Sequence, residues 1–295
     1  MKNISILILF FLFSVTLFAQ ETAPNYLLYR YNMNLINPAY AGANGAGVLN
    51  LGFRKQAMDL EDEPVTQMAT YAQSFGENVG LGLSLVNDKV FVSKQTDVAV
   101  DFSYKLQMAP TTNLYLGLKA GLSMYNIDFN SLGLNNDPLF NENVSTSSPL
   151  VGVGAYLKGS RYYVHLSSPN LLLSEVQKPT LGAGQVEVEG VSEKLHLYVG
   201  GGYRFKVSND LDLTPAVFSR IVSDETALID LSVTADISNN LELGLSHRLN
   251  SSFIGSFLLK VMDKTHFGYA YEATISELNT VATGTHEFIV RFNFN

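Results

Sequence analysis

Period-two alternation of apolar and polar side chains, sustained for ten residues or more, restricts the fold of this chain more than any other feature. Leu114, Leu116, Leu118, Ala120, Leu122 and Met124 alternate with Tyr115, Gly117, Lys119, Gly121, Ser123 and Tyr125. Leu195, Leu197, Val199, Gly201, Tyr203, Phe205 and Val207 alternate with Lys194, His196, Tyr198, Gly200, Gly202, Arg204 and Lys206. Ile229, Leu231, Val233, Ala235 and Ile237 stand opposite Asp230, Ser232, Thr234 and Asp236. A strand points successive side chains to opposite faces, so each segment has one apolar and one polar surface. Strands of soluble sheets average ~5–6 residues, whereas a tilted strand needs about 9–11 to cross a bilayer. The longer segments match the second length. In hydrocarbon a sheet satisfies all its peptide groups only by closing on itself. The pattern predicts an all-β fold, a closed antiparallel outer-membrane β-barrel.

Composition narrows the function classes. Charged residues make up 16% of the 295, against roughly a quarter in soluble domains. There is no cysteine, which removes disulfide scaffolds, thiolate metal sites and cysteine nucleophiles together. The formal charge of −8 argues against nucleic acid as a partner, since such proteins carry a basic face. The apolar, aromatic chain is also unlike a disordered one.

Residues 1–19 read as a signal peptide: Lys2 precedes an apolar run from Ile4 to Phe18, and small Ala19 marks the expected cut. The rival reading is an uncleaved membrane anchor. Loss of Lys2 would take the charge from −8 to −9. The remainder divides into an N-terminal segment, 20–47, and the barrel, 48–295. About 14 strands are expected, an even number as in bacterial single-chain barrels. Their connections alternate in kind. Gly76-Glu77-Asn78, Gly159-Ser160, Ser208-Asn209-Asp210, Ser238-Asn239-Asn240 and Asp263-Lys264 are tight, whereas Asp128–Pro149 and Ser168–Glu193 are long. Short turns face the periplasm and long loops the exterior in such barrels, so the first strand runs outward. The last strand carries Phe288, Val290, Phe292 and Phe294 on one face and looks like an outer-membrane assembly signal.

An ordered series of motifs resembles the PorP/SprF family, membrane proteins of the type IX secretion system. Tyr29-Arg30-Tyr31-Asn32-Met33-Asn34-Leu35-Ile36-Asn37-Pro38-Ala39-Tyr40-Ala41-Gly42 is similar to the family's N-terminal hallmark. Arg54-Lys55-Gln56 resembles its Arg-x-Gln-Trp, with Ala57 in place of the Trp. Asn87-Asp88-Lys89, Asp137-Pro138, Arg161-Tyr162-Tyr163, Ser168-Pro169-Asn170-Leu171-Leu172, Gly268-Tyr269-Ala270-Tyr271 and Gly284-Thr285-His286-Glu287 follow in family order. The resemblance implies a non-enzymatic outer-membrane barrel serving protein secretion or gliding motility. Its implied partners are outer-membrane lipid, other type IX components, and a large secreted adhesin or its C-terminal domain. The alternatives are a porin-like or hydrophobic small-solute transporter, and a barrel enzyme acting on lipid.

Two regions are candidates for partner contact. Asn37, Pro38, Ala39, Tyr40, Ala41 and Gly42 form either a lead-in or plug packed inside the wall, or a periplasmic docking segment; Asn-Pro favours a turn there. In the long loops, Leu139 and Phe140 of one, and Leu171, Leu172 and Leu173 of the other, either self-pack or meet a partner. No catalytic, cofactor or metal site is expected. The five histidines, at 165, 196, 247, 266 and 286, lack ligand spacing, and no Gly-x-Ser-x-Gly or Gly-Lys-Ser/Thr occurs. His286-Glu287 imitates part of a hydrolase site without an identifiable serine. Asp101, Lys105, Lys119, Arg204, Lys206, Asp230, Asp236, Glu242, Arg248 and Arg291 are lumen candidates; they either pair with one another or line a selective pore.

The turn lengths fix an orientation that thiol labelling checks. Cysteines at Asn141 and Gln185 should react with impermeant reagents on intact cells. Those at Asn209 and Asn239 should react only after the outer membrane is permeabilised, and equal labelling of both sets would reverse or remove the topology.

Overall fold

The computed structural model describes residues 25–56, 63–132, 143–172, 175–182, 185–192, 194–223, 225–275 and 284–294. The expected signal peptide, 1–19, lies outside these residues. The strands are β1 (Gly47–Gln56), β2 (Val65–Phe75), β3 (Val79–Val90), β4 (Ser93–Ala109), β5 (Thr112–Ile127), β6 (Val144–Lys158) and β7 (Tyr162–Ser168). There follow β8 (Glu175–Gly182), β9 (Gln185–Ser192), β10 (His196–Tyr203), β11 (Phe205–Lys206) and β12 (Leu211–Val222). The chain ends with β13 (Leu228–Ile237), β14 (Leu241–Arg248), β15 (Ser252–Met262), β16 (Thr265–Thr274) and β17 (Thr285–Phe294).

These strands close a barrel of 14 antiparallel staves. Each is hydrogen-bonded to its sequence neighbour, β1 meets β17 from Gly47↔Phe294 to Gln56↔Thr285, and β10 meets β12 across the second join. The eighth stave is β10 continued by β11 after an interruption at Arg204. β8 and β9 are not staves; they pair only with each other, as a hairpin within the second long connection. That connection was expected to be a plain loop. Its Val176, Val186, Val188 and Val191 are strand formers on a segment too short and too charged to cross a membrane.

Length and face follow from the bilayer. β4 and β5 run to 17 and 16 residues, longer than a tilted crossing needs, so their outer ends project beyond the hydrocarbon. Leu118 is 59% exposed, Leu245 68% and Leu83 54%, all on the outward parity; Val233 and Leu243 share that face. On the opposite parity Asp101, Thr66, Thr70 and Glu287 are buried. An inverted distribution of this kind places the lipid outside the wall and the protein's core within it. The tight turn at Ser238 and Asn239 has positive φ at both residues, 53° and 55°, the paired left-handed conformation that matches hairpin twist.

Leu118 sits near the middle of β5 on the lipid face. Its replacement by arginine should destabilise the barrel by about 2–4 kcal/mol, read as a shift in the urea midpoint of folding into vesicles. Leu118→Phe should leave the midpoint unchanged, and tolerance of the arginine would mean that the two faces are exchanged.

Candidate functional site: the plugged lumen and its two mouths

The lumen is filled from within by residues 25–46. A turn over Leu27–Arg30 leads into a one-turn helix, α1 (Met33–Ile36), then a 3-10 turn, Pro38–Tyr40, and a last turn through Gly45. The sequence builds this path locally. Asn37 is extended (φ −142°), its Oδ1 accepts the Ala39 N–H at 2.9 Å, and Pro38 follows at the first position of the turn. Proline there loses no hydrogen bond and presets φ.

The same asparagine ties the plug to the wall, its Nδ2 donating to Ala155 O at 3.1 Å. Wall glycines make room: a methyl group built on Gly80, Gly117 or Gly154 would overlap Ala41 O, Ala39 N or Asn37 Oδ1. Gly42 has φ +74°, and a Cβ there would come within 2.7 Å of Gly80 Cα. Close approach of this kind requires glycine. Asn37, Ala39 and Ala41 are wholly buried, Pro38 nearly so, Tyr40 and Gly42 are half-buried, and Asn44, Gly45 and Ala46 emerge at the inner mouth. The motif therefore lies inside the wall, and its immediate successors, not the motif itself, emerge at the mouth that carries the tight turns.

Many of the buried polar groups of the plug find partners in the wall. Glu287, near the outer end of β17, accepts the N–H groups of Leu27 and Leu28 at 2.7 and 3.2 Å. Asn50 Nδ2 donates to Tyr31 O at 2.9 Å, Lys119 Nζ to Asn34 O at 3.0 Å, Ser167 Oγ to Ile36 O at 2.8 Å and Lys158 Nζ to Ala43 O at 2.8 Å. The plug thus starts in the outer half of the lumen and descends to the inner mouth before β1 begins. Tyr29 stacks on Phe218 with centroids 4.1 Å apart, and Tyr40 meets Tyr156 edge-on at 5.2 Å.

Several lumen candidates pair with each other. Lys119 is 2.7 Å from Asp101, and Arg248 grips Asp230 through Nε and Nη2 at 2.9 and 3.0 Å. Arg248 also donates to Glu272, which accepts Ser252 as well, so one buried network joins β13 to β16. Glu242 accepts the Tyr31 hydroxyl at 3.1 Å and faces Arg30. Asp236 caps its turn by accepting Asn239 N–H. Lys105, Arg204, Lys206 and Arg291 lie toward the inner rim. Sequence reasoning missed the plug-anchoring role of Glu287 and the part played by Glu272 and Arg30; Glu287 was detectable as a carboxylate on the lumen parity of the last strand. His286 and Glu287 point to opposite faces. His286 meets Tyr269 Oη at 2.8 Å while Glu287 faces the plug, so the two do not converge on one reacting atom. Among the described residues no group of three or more metal-ligating side chains is gathered.

At the outer mouth, Leu171 and Leu172 are both 39% exposed, and the Leu171 N–H donates to Val151 O at 2.7 Å. Leu139, Phe140 and Leu173 lie outside the described residues. Above the plug remains a cavity of about 140 Å³, walled partly by Leu35, Ile36, Val86 and Leu150 and partly by Asp88, Asp97 and Gln95.

The family model described as type IX secretion system membrane protein PorP/SprF matches residues 18–292. The chain belongs to the PorP/SprF family. It is accordingly an outer-membrane component of the type IX secretion system. No curated protein matches the sequence. Among solved structures, this PorP/SprF barrel is similar to the toluene transporter TbuX of Ralstonia pickettii, with a TM-score of 0.53 and 11% identity over 88% of this chain and 92% of that one. The monoaromatic hydrocarbon channel CymD gives 0.52 and 11% over 94% of each chain. The toluene transporter TodX of Pseudomonas putida gives 0.53 and 10% over 90% and 93%. At such identities the likeness establishes the shared outer-membrane barrel fold.

The glycine contacts make the plug testable without touching the lipid face. Gly117→Val should unseat it and raise single-channel conductance in planar bilayers well above wild type, while the barrel stays heat-modifiable. Equal conductance of the two proteins would mean that residues 25–46 do not control the lumen.

Proposed function

We propose that this PorP/SprF protein is a non-enzymatic scaffold of type IX secretion. In this reading it is exported by a signal peptide cut near Ala19 and seated in outer-membrane lipid. It holds or helps export a large surface adhesin, engaged through the adhesin's C-terminal domain, in the service of secretion or gliding. The observation that carries the reading is the plug. Its backbone is hydrogen-bonded to wall residues on β1, β5, β6, β7 and β17, which favours a filled barrel over a wide aqueous pore. What such a barrel offers a partner is then its two ends. Outside, the exposed Leu171 and Leu172 beside the β8–β9 hairpin offer apolar side chains of the kind that protein contacts use. Inside, Asn44–Ala46 and the neighbouring turns offer a docking face for periplasmic components of the system.

The small-solute transporter is the competing reading, supported by the partly apolar cavity above the plug. One variant separates the two. Replacing Glu175–Ser192 by a short Gly-Ser linker should leave the barrel inserted and heat-modifiable, because loops tolerate shortening and the wall is unchanged. Under the scaffold reading the cells should lose, or release into the medium, a large surface protein. Normal surface display with reduced uptake of small apolar solutes would favour the transporter instead.

A further inference from the structure

At the inner mouth four cations follow one arc of the wall, and the carboxylate nearest the first of them, Glu77, lines the same cavity as Lys105 without a salt bridge to it among the described residues. Lys105 on β4 is cross-strand from Tyr115, which is cross-strand from Tyr156 of β6. Lys158, two residues beyond Tyr156, is level with Tyr163 of β7. Arg161 precedes β7, and its carbonyl accepts the Arg204 N–H at 2.6 Å. Lys105 on β4, Lys158 on β6, Arg161 just ahead of β7 and Arg204 just after β10 thus follow the same rim, with Tyr115 of β5 between the first two. None of the four is in a salt bridge among the described residues. Lys206 continues the arc but lies directly opposite Asp212. In a chain whose formal charge is −8, this is a local reversal of sign.

Tyr162, Tyr203 and Phe205, the chain neighbours of Arg161 and Arg204, are 37%, 42% and 52% exposed. Arg161 and Arg204 themselves stand just outside the regular strands, at the rim, and are exposed. Beside Lys105 opens a cavity of about 300 Å³, walled by the plug's end (Ala41 to Gly45), the Gly76-Glu77-Asn78 turn and Tyr115. Asn44 and Gly45 are exposed there, and Lys158 fixes the adjoining Ala43 carbonyl. The result is a concave surface lined by Lys105 and Glu77, with Lys158, Arg161 and Arg204 further along the rim. Gathered like charges repel each other and draw in a ligand of opposite sign.

We propose that this arc is a docking site for an acidic segment of a periplasmic protein, whose carboxylates pair with Lys105, Arg161 and Arg204 while its backbone lies along Asn44 and Gly45. The inference rests on the scaffold reading and supplies the chemistry of its inner face.

Fluorescein-labelled octaglutamate, titrated by anisotropy against the full chain in neutral detergent, serves as the probe, with octaglutamine as the uncharged control. Octaglutamate should bind more tightly, and the preference should fade as salt is raised. The triple variant Lys105→Glu, Arg161→Glu, Arg204→Glu should bind it at least tenfold more weakly, and the milder Lys105→Gln, Arg161→Gln, Arg204→Gln should fall between, with heat-modifiability intact in both. Equal binding by wild type and the triple variants would overturn the proposal. So would indifference of wild type to octaglutamate combined with a charge-dependent association with phosphatidylglycerol vesicles, which would assign the arc to lipid. The scaffold reading fails separately: normal surface display after loss of the β8–β9 hairpin would remove it while leaving the octaglutamate result in place.

Discussion

A peptide group in hydrocarbon has no water to turn to, and an unpaired N–H or C=O there costs several kcal/mol. Everything else in this molecule is arranged around that requirement. The ladder from β1 to β17 pairs each stave on both sides, and the β1–β17 join closes the circle over ten residue pairs. Closure forces alternate side chains inward, and a barrel of this size encloses more space than the inward side chains of its wall can fill. The 25–46 segment occupies that space. The wall is therefore apolar outside and glycine-rich, polar and aromatic inside, the reverse of a soluble protein.

Filling a lumen with backbone creates a second requirement of the same kind, because the plug's own peptide groups are then removed from water. The wall answers it with side chains: the Glu287 carboxylate for two N–H groups, and Asn50, Lys119, Lys158 and Ser167 for four carbonyls. Lys119 shows how tightly the two layers are coupled, since the same ammonium neutralises Asp101 and holds Asn34 O. Removing one partner from such a buried set strands the other, which is the expensive outcome.

The wall was legible in the sequence because its signal is periodic. The expected staves correspond to the observed ones, and the parity of Leu118 or Asp101 could be read from alternation alone. The β8–β9 hairpin was missed because a pair of strands outside the membrane carries neither the length nor the one-sided pattern of a stave. The plug was legible only as a turn. Asn37-Pro38 and the glycines after it announced tight backbone, but whether that backbone lay in the lumen or in the periplasm depended on wall residues distant in the chain, such as Gly80 and Gly117. Glu287 posed the same difficulty in reverse. Its inward parity was visible, whereas its two backbone partners are 260 and 259 residues distant, and no local pattern records a contact of that range.

The plug's course has a consequence for the order in which the protein can be built. Leu27 and Leu28 are bound in the outer half of the lumen by the last stave, while the chain leaves the lumen through the inner mouth to begin the first one. In the folded protein this segment packs against Gly80, Gly117 and Gly154 with no clearance even for a methyl group. The β1–β17 seam and the buried N-terminal segment are coupled through Glu287, which belongs to the seam strand and holds the plug. The contact between Leu27 and Glu287 then acts as a proof of completeness, formed only by a chain synthesised through its final strand.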